Sequence, residues 1–586
     1  MRTFFKMFFA AILALIVFCG FIFLFISVLV SGFFAADVAI VPAKSVLYID
    51  LSRNFSEKKL QNPLRELTGN IEDDVPTLYE LIRIIHKAKA DTSVRGIYIK
   101  SNVNINGYAA SEEIRNALID FRKGGKFVYA YGEYITQKAY HVSNVADRIY
   151  CNPKGMVDWT GLGVEYMYFK NLLKRLEIVP QIFYDGKFKS ATEPFREDRM
   201  TDANRLQTSV WLGDIYNQFL LNTANSRNLD TASLRRYANE YKVETPQNAA
   251  DLKLIDGVRY DDEVRDEIKK RLKLGIDDKI SFVTPGTYMH AVSLTEYGKT
   301  DKIAVVMLEG EIVDGKGADG QIGSEEYRNL IRKLRYNKEI KAIVLRINSP
   351  GGSSLASEII WREINLARKA GKPVVVSMGD VAASGGYYIA CMADSIFAQP
   401  NTITGSIGVF AMIPNMESFF KNKLGVTFDR VGTSDYANAI TITRPLNPQQ
   451  RMIIQREVDR IYGDFKARVA EGRKRDTVYI DSIAQGRVWT GGRAVGIGLV
   501  DKIGGIEESI RSAAKLAKIK DYNIREYPEP KSPFDIIFGS LSSMNKSSIM
   551  EEELGKENYK IYLQIKRLKE NMGVIQARIP FEWTWN

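Results

Sequence analysis

The chain repeats itself, and no other feature limits its fold as strongly. YGEYITQKAYHVSNVADRIYCNP, from Tyr131, lies over MGDVAASGGYYIACMADSIFAQP, from Met378. The pairing sets Gly132 on Gly379, Tyr140 on Tyr387, Ala146 and Asp147 on Ala393 and Asp394, and Pro153 on Pro400. Upstream, RGIYIKSN from Arg95 matches KAIVLRIN from Lys341, and ASEEI from Ala110 matches ASEII from Ala356. Downstream, VETPQNAADLKLID from Val243 matches VWTGGRAVGIGLVD from Val488. The offset stays at roughly 246 residues throughout, so the chain reads as a duplicated domain. Its 586 residues are too many for one ordinary core. Each copy alternates short apolar strands with amphipathic helices, the βαβ pattern of an α/β fold.

The copies differ where chemistry would sit. KPVVVSM, ending at Met378, reads as a buried strand, because a short β-branched run suits a sheet covered on both faces. Ser384 then falls at a strand-to-helix turn, where Ala382, Ala383, Gly385 and Gly386 add little bulk and leave room for close approach. Taken alone, the stretch fits a helix-capping serine as well as a nucleophile. The first copy carries Gln137 at this position. Conversely, GKFKSATEPF, from Gly186, contains Lys189, and the matching GTSDYANAIT, from Gly432, sets Asp435 or Tyr436 opposite it. If the ancestral unit used a serine and a lysine together, each copy has kept one, and a working site must join the two halves.

A serine hydroxyl is a weak nucleophile until a base takes its proton, and a lysine can be that base when burial lowers its pKa. A lone lysine is more often a solvated surface charge; the missing serine opposite Lys189 weighs against that reading. Acyl transfer also needs donors for an oxyanion. INSPGGS, from Ile347, follows the apolar strand KAIVLR, and Gly351 and Gly352 can turn backbone N–H groups toward a ligand. The bland account is a strand-ending turn. The first copy, SNVNING from Ser101, lacks the glycine pair. Ser406, just after a predicted strand in NTITGSIGVF, can orient the lysine or simply cap a turn.

Several other chemistries are poorly supplied. His86, His141 and His290 are the only histidines and lack ligand-like spacing, so neither a metal site nor a serine–histidine–aspartate triad is expected. Cys19 lies in the first apolar segment, and Cys151 and Cys391 sit in apolar surroundings typical of buried thiols. GKGADG, from Gly315, fits a dinucleotide-binding pattern too weak to carry a cofactor and reads as a mobile loop. The formal charge of +11 comes from cations interspersed with acids, without the stacking aromatics of a nucleic-acid groove. Attraction to anionic headgroups or solubility accounts for it.

Residues 7–34 carry no charge and exceed the ~20 residues that a membrane-spanning helix needs. They read as an anchor in membrane lipid, with cleavage of a signal after Ala36 as the weaker alternative. Arg2 and Lys6 before the span and Asp37 after it predict a cytoplasmic N-terminus and an extracytoplasmic globular part.

Four motifs in order, SPGG at Ser349, ASGGYYIA at Ala383, TGSIGV at Thr404 and YDGKFKSATEPF at Tyr184, resemble the long, duplicated form of the signal peptide peptidase A family of serine–lysine proteases. The similarity covers essentially the whole chain. It implies Ser384 as nucleophile, Lys189 as general base, Gly351 and Gly352 in the oxyanion loop and Ser406 as a lysine partner. It also implies two tandem crotonase-like domains related to caseinolytic protease subunits, no cofactor, a single-pass protein of the bacterial inner membrane, a homotetramer, and digestion of signal peptides left after secretion. The expected organisation is a cytoplasmic tip and anchor over 1–36, a lysine-bearing repeat over 45–300, a serine-bearing repeat over 301–520, and a tail over 521–586 with an amphipathic helix in EEELGKENYKIYLQIKRLKENM. An acyl-CoA enzyme on the same fold and a non-catalytic membrane scaffold are the rival readings.

Overall fold

A computed structural model of the chain describes residues 2–33, 39–59, 74–294, 299–529 and 575–579. The helix expected between Glu551 and Met572 lies outside the described residues. Arg2–Phe33 forms one helix of 32 residues, and its stretch Arg2–Ile22 has a mean hydropathy of 2.5 with none of it buried against the rest of the chain. It is long and apolar enough to cross a membrane.

Each half is built on a parallel sheet. The first has six strands in the order Gly257–Val258, Arg148–Val157, Phe127–Ile135, Val94–Lys100, Ser45–Asp50 and Phe282–Val283. In the second, Ser395–Ala398, Val374–Ala383, Ile340–Ser349, Lys302–Glu309 and Asn523–Tyr527 repeat that order, with Lys502–Ile503 beside the first of them. Ile403–Gly405 pairs with the end of Val374–Ala383 just as the end of Arg148–Val157 pairs with the end of Phe127–Ile135 in the first half, and Val488–Thr490 adds an antiparallel strand beyond it. Val374–Ala383 and Ile403–Gly405 are buried along nearly their whole length, as near-continuous runs such as VVVSM require.

The helices repeat as well. Asp202–Arg227 and Pro448–Arg473 are both 26 residues long. Thr201 and Asn447 cap their N-termini through side-chain oxygens, and Asn228 and Lys474 end them in the left-handed conformation. One buried apolar cluster runs through both halves: Leu81, Ile85 and Ile114 of the first pack with Val305, Val344, Ile506 and Ile510 of the second.

Charge latches that interface. Arg346 is wholly buried and its Nη2 reaches Glu57 at 2.7 Å and Glu113 at 2.6 Å. The carboxylate of Asp380 accepts from Ala109 N–H at 2.8 Å and Ala110 N–H at 3.1 Å, and Glu309 accepts from Lys58 N–H at 3.0 Å.

A third sheet crosses from one half into the other. Val179–Asp185 of the first half pairs antiparallel with Val409–Asn415 of the second, in register from Val179 opposite Asn415 to Asp185 opposite Val409. The pairing carries the chain to Lys189, four residues further on, into the second half.

Candidate active site

Ser384 ends the strand Val374–Ala383 and precedes the helix Gly385–Ala390, so the turn expected from the sequence is present. Its backbone is held at φ 55°, ψ −114°, a left-handed conformation that a residue with a side chain occupies only when its surroundings fix it. The fixing contacts are local. Ser384 N–H donates to Gly405 O at 2.8 Å, and Ser384 O accepts from Tyr388 N–H at 2.8 Å. The sharp turn leaves the hydroxyl standing off the end of the strand.

Lys189 lies in the turn after Val179–Asp185. Its Nζ donates to Ser384 Oγ at 2.8 Å and lies 3.2 Å from both Ser406 O and Ser406 Oγ. The lysine is buried and meets no carboxylate among the described residues; burial alone drives its pKa well below the ordinary lysine value. Ser406 follows the strand Ile403–Gly405, and its Oγ in turn donates to Gly486 O at 3.3 Å. Ser384 Oγ also lies 3.4 Å from Gly408 O. Serine, lysine and second serine thus form one buried chain of polar groups inside a single polypeptide.

Gly351 and Gly352 form a short strand, Gly351–Ser353, beside the turn of Ser384. Both glycines are required. Gly351 sits at φ 99°, and a Cβ there would come within 2.8 Å of Gly385 N; at Gly352 a Cβ would lie 2.0 Å from Ile312 O. The two segments therefore approach at the Ser384 turn with backbone facing backbone.

The groups that hold the lysine belong to none of the motifs named above. Phe188 N–H donates to Gln485 O at 2.7 Å, and Gln207 Nε2 donates to Phe188 O and Ser190 Oγ, both at 3.0 Å. Gly486 passes so near that a Cβ would sit 2.7 Å from Lys189 Cα. A signal was available: the repeat sets Tyr241 opposite Gly486, both with positive φ, so the second copy has lost its side chain where the lysine enters. In the first half, Gln137 at the serine's position closes a local ring with Gly161, donating to its carbonyl at 2.7 Å and accepting from its N–H at 2.9 Å. Cys151 and Cys391 are free, buried thiols whose pKa burial pushes up to about 12, and they stand apart from this cluster.

The model of peptidase family S49 matches twice, over residues 120–275 and 366–520. The chain belongs to peptidase family S49. One matched stretch falls in each repeat, and three of the relatives cover most of the chain. Protease 4 of Salmonella typhi is 34% identical over 530 residues, covering 87% of this chain and 84% of its own. Protease 4 of Haemophilus influenzae is 32% identical over 562 residues, covering 92% and 90%. The chloroplastic serine protease SPPA of Arabidopsis thaliana is 31% identical over 500 residues, covering 82% and 73%. An S49 chain is a serine peptidase, which sets aside the acyl-CoA enzyme and the inert scaffold.

Proposed function

We propose that this S49 peptidase hydrolyses peptides with a Ser384–Lys189 dyad, and that its substrates are signal peptides left in the membrane after secretion. The observation that carries the dyad is the 2.8 Å contact between Lys189 Nζ and Ser384 Oγ in a buried site that holds no carboxylate among the described residues. A lysine kept neutral by burial accepts the serine's proton as Oγ attacks the peptide carbonyl. The oxyanion is met by backbone N–H groups of the Gly351–Gly352 loop. The protonated lysine then gives its proton to the departing amine, and water, activated by the same lysine, hydrolyses the ester on Ser384. Ser406 fixes the direction of the ammonium through its oxygen atoms. The catalytic lysine belongs to the repeat over 45–300 and the serine to the repeat over 301–520.

The apolar helix Arg2–Phe33 supports substrates met at a membrane, and Arg2 and Lys6 ahead of it favour a globular part outside the cytoplasm. The family resemblance adds the homotetramer and the signal-peptide substrates. The test is incubation of the purified protein and its Ser384→Ala variant with synthetic signal peptides in detergent. Cleavage by the parent and none by a folded variant is expected; turnover in the variant removes Ser384 from the nucleophile's role. Cleavage of soluble peptides but not of signal peptides would leave the dyad and withdraw the substrate.

A further inference from the structure

Gln207 is buried on the helix Asp202–Arg227, and its side-chain amide joins segments from opposite halves of the chain. Its Nε2 donates to Phe188 O and Ser190 Oγ, on either side of Lys189, both at 3.0 Å, while its Oε1 accepts from Val488 N–H at 3.3 Å. That last bond sets the amide's direction, since only its oxygen can accept. The amide is steadied from behind as well: Nε2 lies 3.2 Å from Asn204 Oδ1, and Asn204 Nδ2 donates to Oε2 of the buried Glu193 at 2.9 Å.

Val488 ends a short wall that the lysine shares with Ser406. Ser406 N–H donates to Arg487 O at 2.7 Å, Ser406 Oγ donates to Gly486 O at 3.3 Å, and Phe188 N–H donates to Gln485 O at 2.7 Å. Phe188 is thus tied to residues 485–488 twice, directly through its N–H and by way of Gln207 through its carbonyl. The contact of Lys189 Nζ with both oxygens of Ser406, at 3.2 Å, has its two ends mounted on that one wall.

The repeat bears on the same amide from another side. Thr201 and Asn447 cap the two matching helices, and at the sixth position after each cap stand Gln207 and Ile453. Ile453 is 40% exposed. The copy that keeps the lysine therefore buries an amide where the copy without it turns an apolar side chain to solvent.

We infer that Gln207 is the positioning residue of Lys189, clamping the lysine's turn to the wall that carries Ser406 so that Nζ stays on Ser384 Oγ. It acts through the turn's backbone, not on the reacting atoms, and it rests on the Ser384–Lys189 reading for its meaning. Without the clamp the turn shifts, Nζ leaves its place against Oγ and gains water. Both changes slow the reaction, the first through geometry and the second because water favours the charged amine.

The test compares Gln207→Met, Thr208→Val and Lys189→Met in the full chain, with a fluorogenic peptide that the parent cleaves, read as kcat, KM and a pH–rate profile. Gln207→Met keeps length and burial and removes the amide. It should lower kcat about a hundredfold, leave KM within about twofold, and move the acid limb of kcat/KM up by about one pH unit. Thr208→Val separates stability from positioning, because Thr208 is the next residue, is also buried, and bonds the same Asn204 Oδ1 at 3.4 Å without touching the lysine's turn. It should melt lower and keep the parent's kcat and acid limb. Should Gln207→Met fail to fold, Gln207→Glu, which keeps the acceptor for Val488 N–H and loses the donors on ionising, is expected to show the same fall in kcat. A folded Gln207 variant with the parent's kcat and acid limb, or a Thr208→Val with the same losses as Gln207→Met, overturns the inference. Lys189→Met tells the failures apart: its full activity would withdraw the dyad and the clamp together, whereas an inactive Lys189→Met beside a fully active Gln207→Met would withdraw the clamp alone.

Discussion

Lys189 Nζ and Ser384 Oγ are 2.8 Å apart although 195 positions separate them in the sequence, one in each repeat. Neither repeat holds both groups. The strand Val179–Asp185, paired along its length with Val409–Asn415, is what brings the lysine into the other half. A buried amine without an anionic partner is neutral over a wider pH range than a free lysine.

That neutrality predicts the pH profile. Activity, read as kcat/KM, should rise with pH through the lowered pKa of Lys189 and level off well below the ~10.4 of an ordinary lysine. Lys189→Arg should lose at least about a thousandfold at every pH, because a guanidinium stays protonated and cannot accept the serine's proton. A pH–rate profile that climbs only near pH 10 would remove the buried lysine from the base's role.

The same burial has a cost in stability whose sign is fixed. The unfolded chain holds a proton on this lysine up to ~10.4, whereas the folded chain releases it at a lower pH. Between the two values the unfolded state binds more protons, so the contribution of Lys189 to folding stability rises with pH by about 1.4 kcal/mol per pH unit and is least favourable below the folded pKa. Lys189→Met keeps the length and removes the charge. Relative to the parent, it should melt higher at pH 7 than at pH 10, and the difference between the two conditions is the measurement. A difference that does not change with pH would mean the lysine is not destabilised by burial.

The fold was legible in the sequence because the signals were local and doubled. Runs such as VVVSM and KAIVLR state their strands directly, and the repeat supplies each a second time. The site was legible through loss, since Gln137 and Asp435 mark where each copy dropped a group. Less legible were residues whose role depends on what lies across the interface. Arg346 matches Lys100, which lies partly exposed 3.5 Å from Asp50; nothing near Arg346 in the sequence announces that Glu57 and Glu113 of the other repeat surround it. The short strands Ile403–Gly405 and Val488–Thr490 are three residues each, too short for any periodicity to show.

The Arg346 cluster yields a prediction of its own. Burial raises the Glu113 carboxyl to about 7 even against the pull of Arg346 beside it, and raises that of Glu57 as well. Arg346→Met would leave two buried carboxyls facing each other with no cation, a loss of about 3–5 kcal/mol near pH 8. Because a carboxyl whose folded pKa is raised stabilises below that pKa and loses the contribution as pH rises through it, the deficit should shrink at pH 5, where both acids can be protonated. Thermal melts at the two pH values check this; an equal deficit at both would show that the arginine acts through packing alone.

Gly486 tests whether the lysine must be held as well as present. Its φ of 73° favours glycine, and a Cβ would stand 2.7 Å from the Cα and Cβ of Lys189. Gly486→Ala must therefore push the lysine's backbone aside, and a displacement near 1 Å at a reacting pair costs about a hundredfold in rate. The three atoms nearest that Cβ all belong to Lys189, so the loss should fall on kcat and leave KM nearly unchanged. A loss confined to KM would place Gly486 in substrate binding. In Gly213→Ala, by contrast, the new Cβ has no atom within 4 Å, and kcat and KM should both match the parent's.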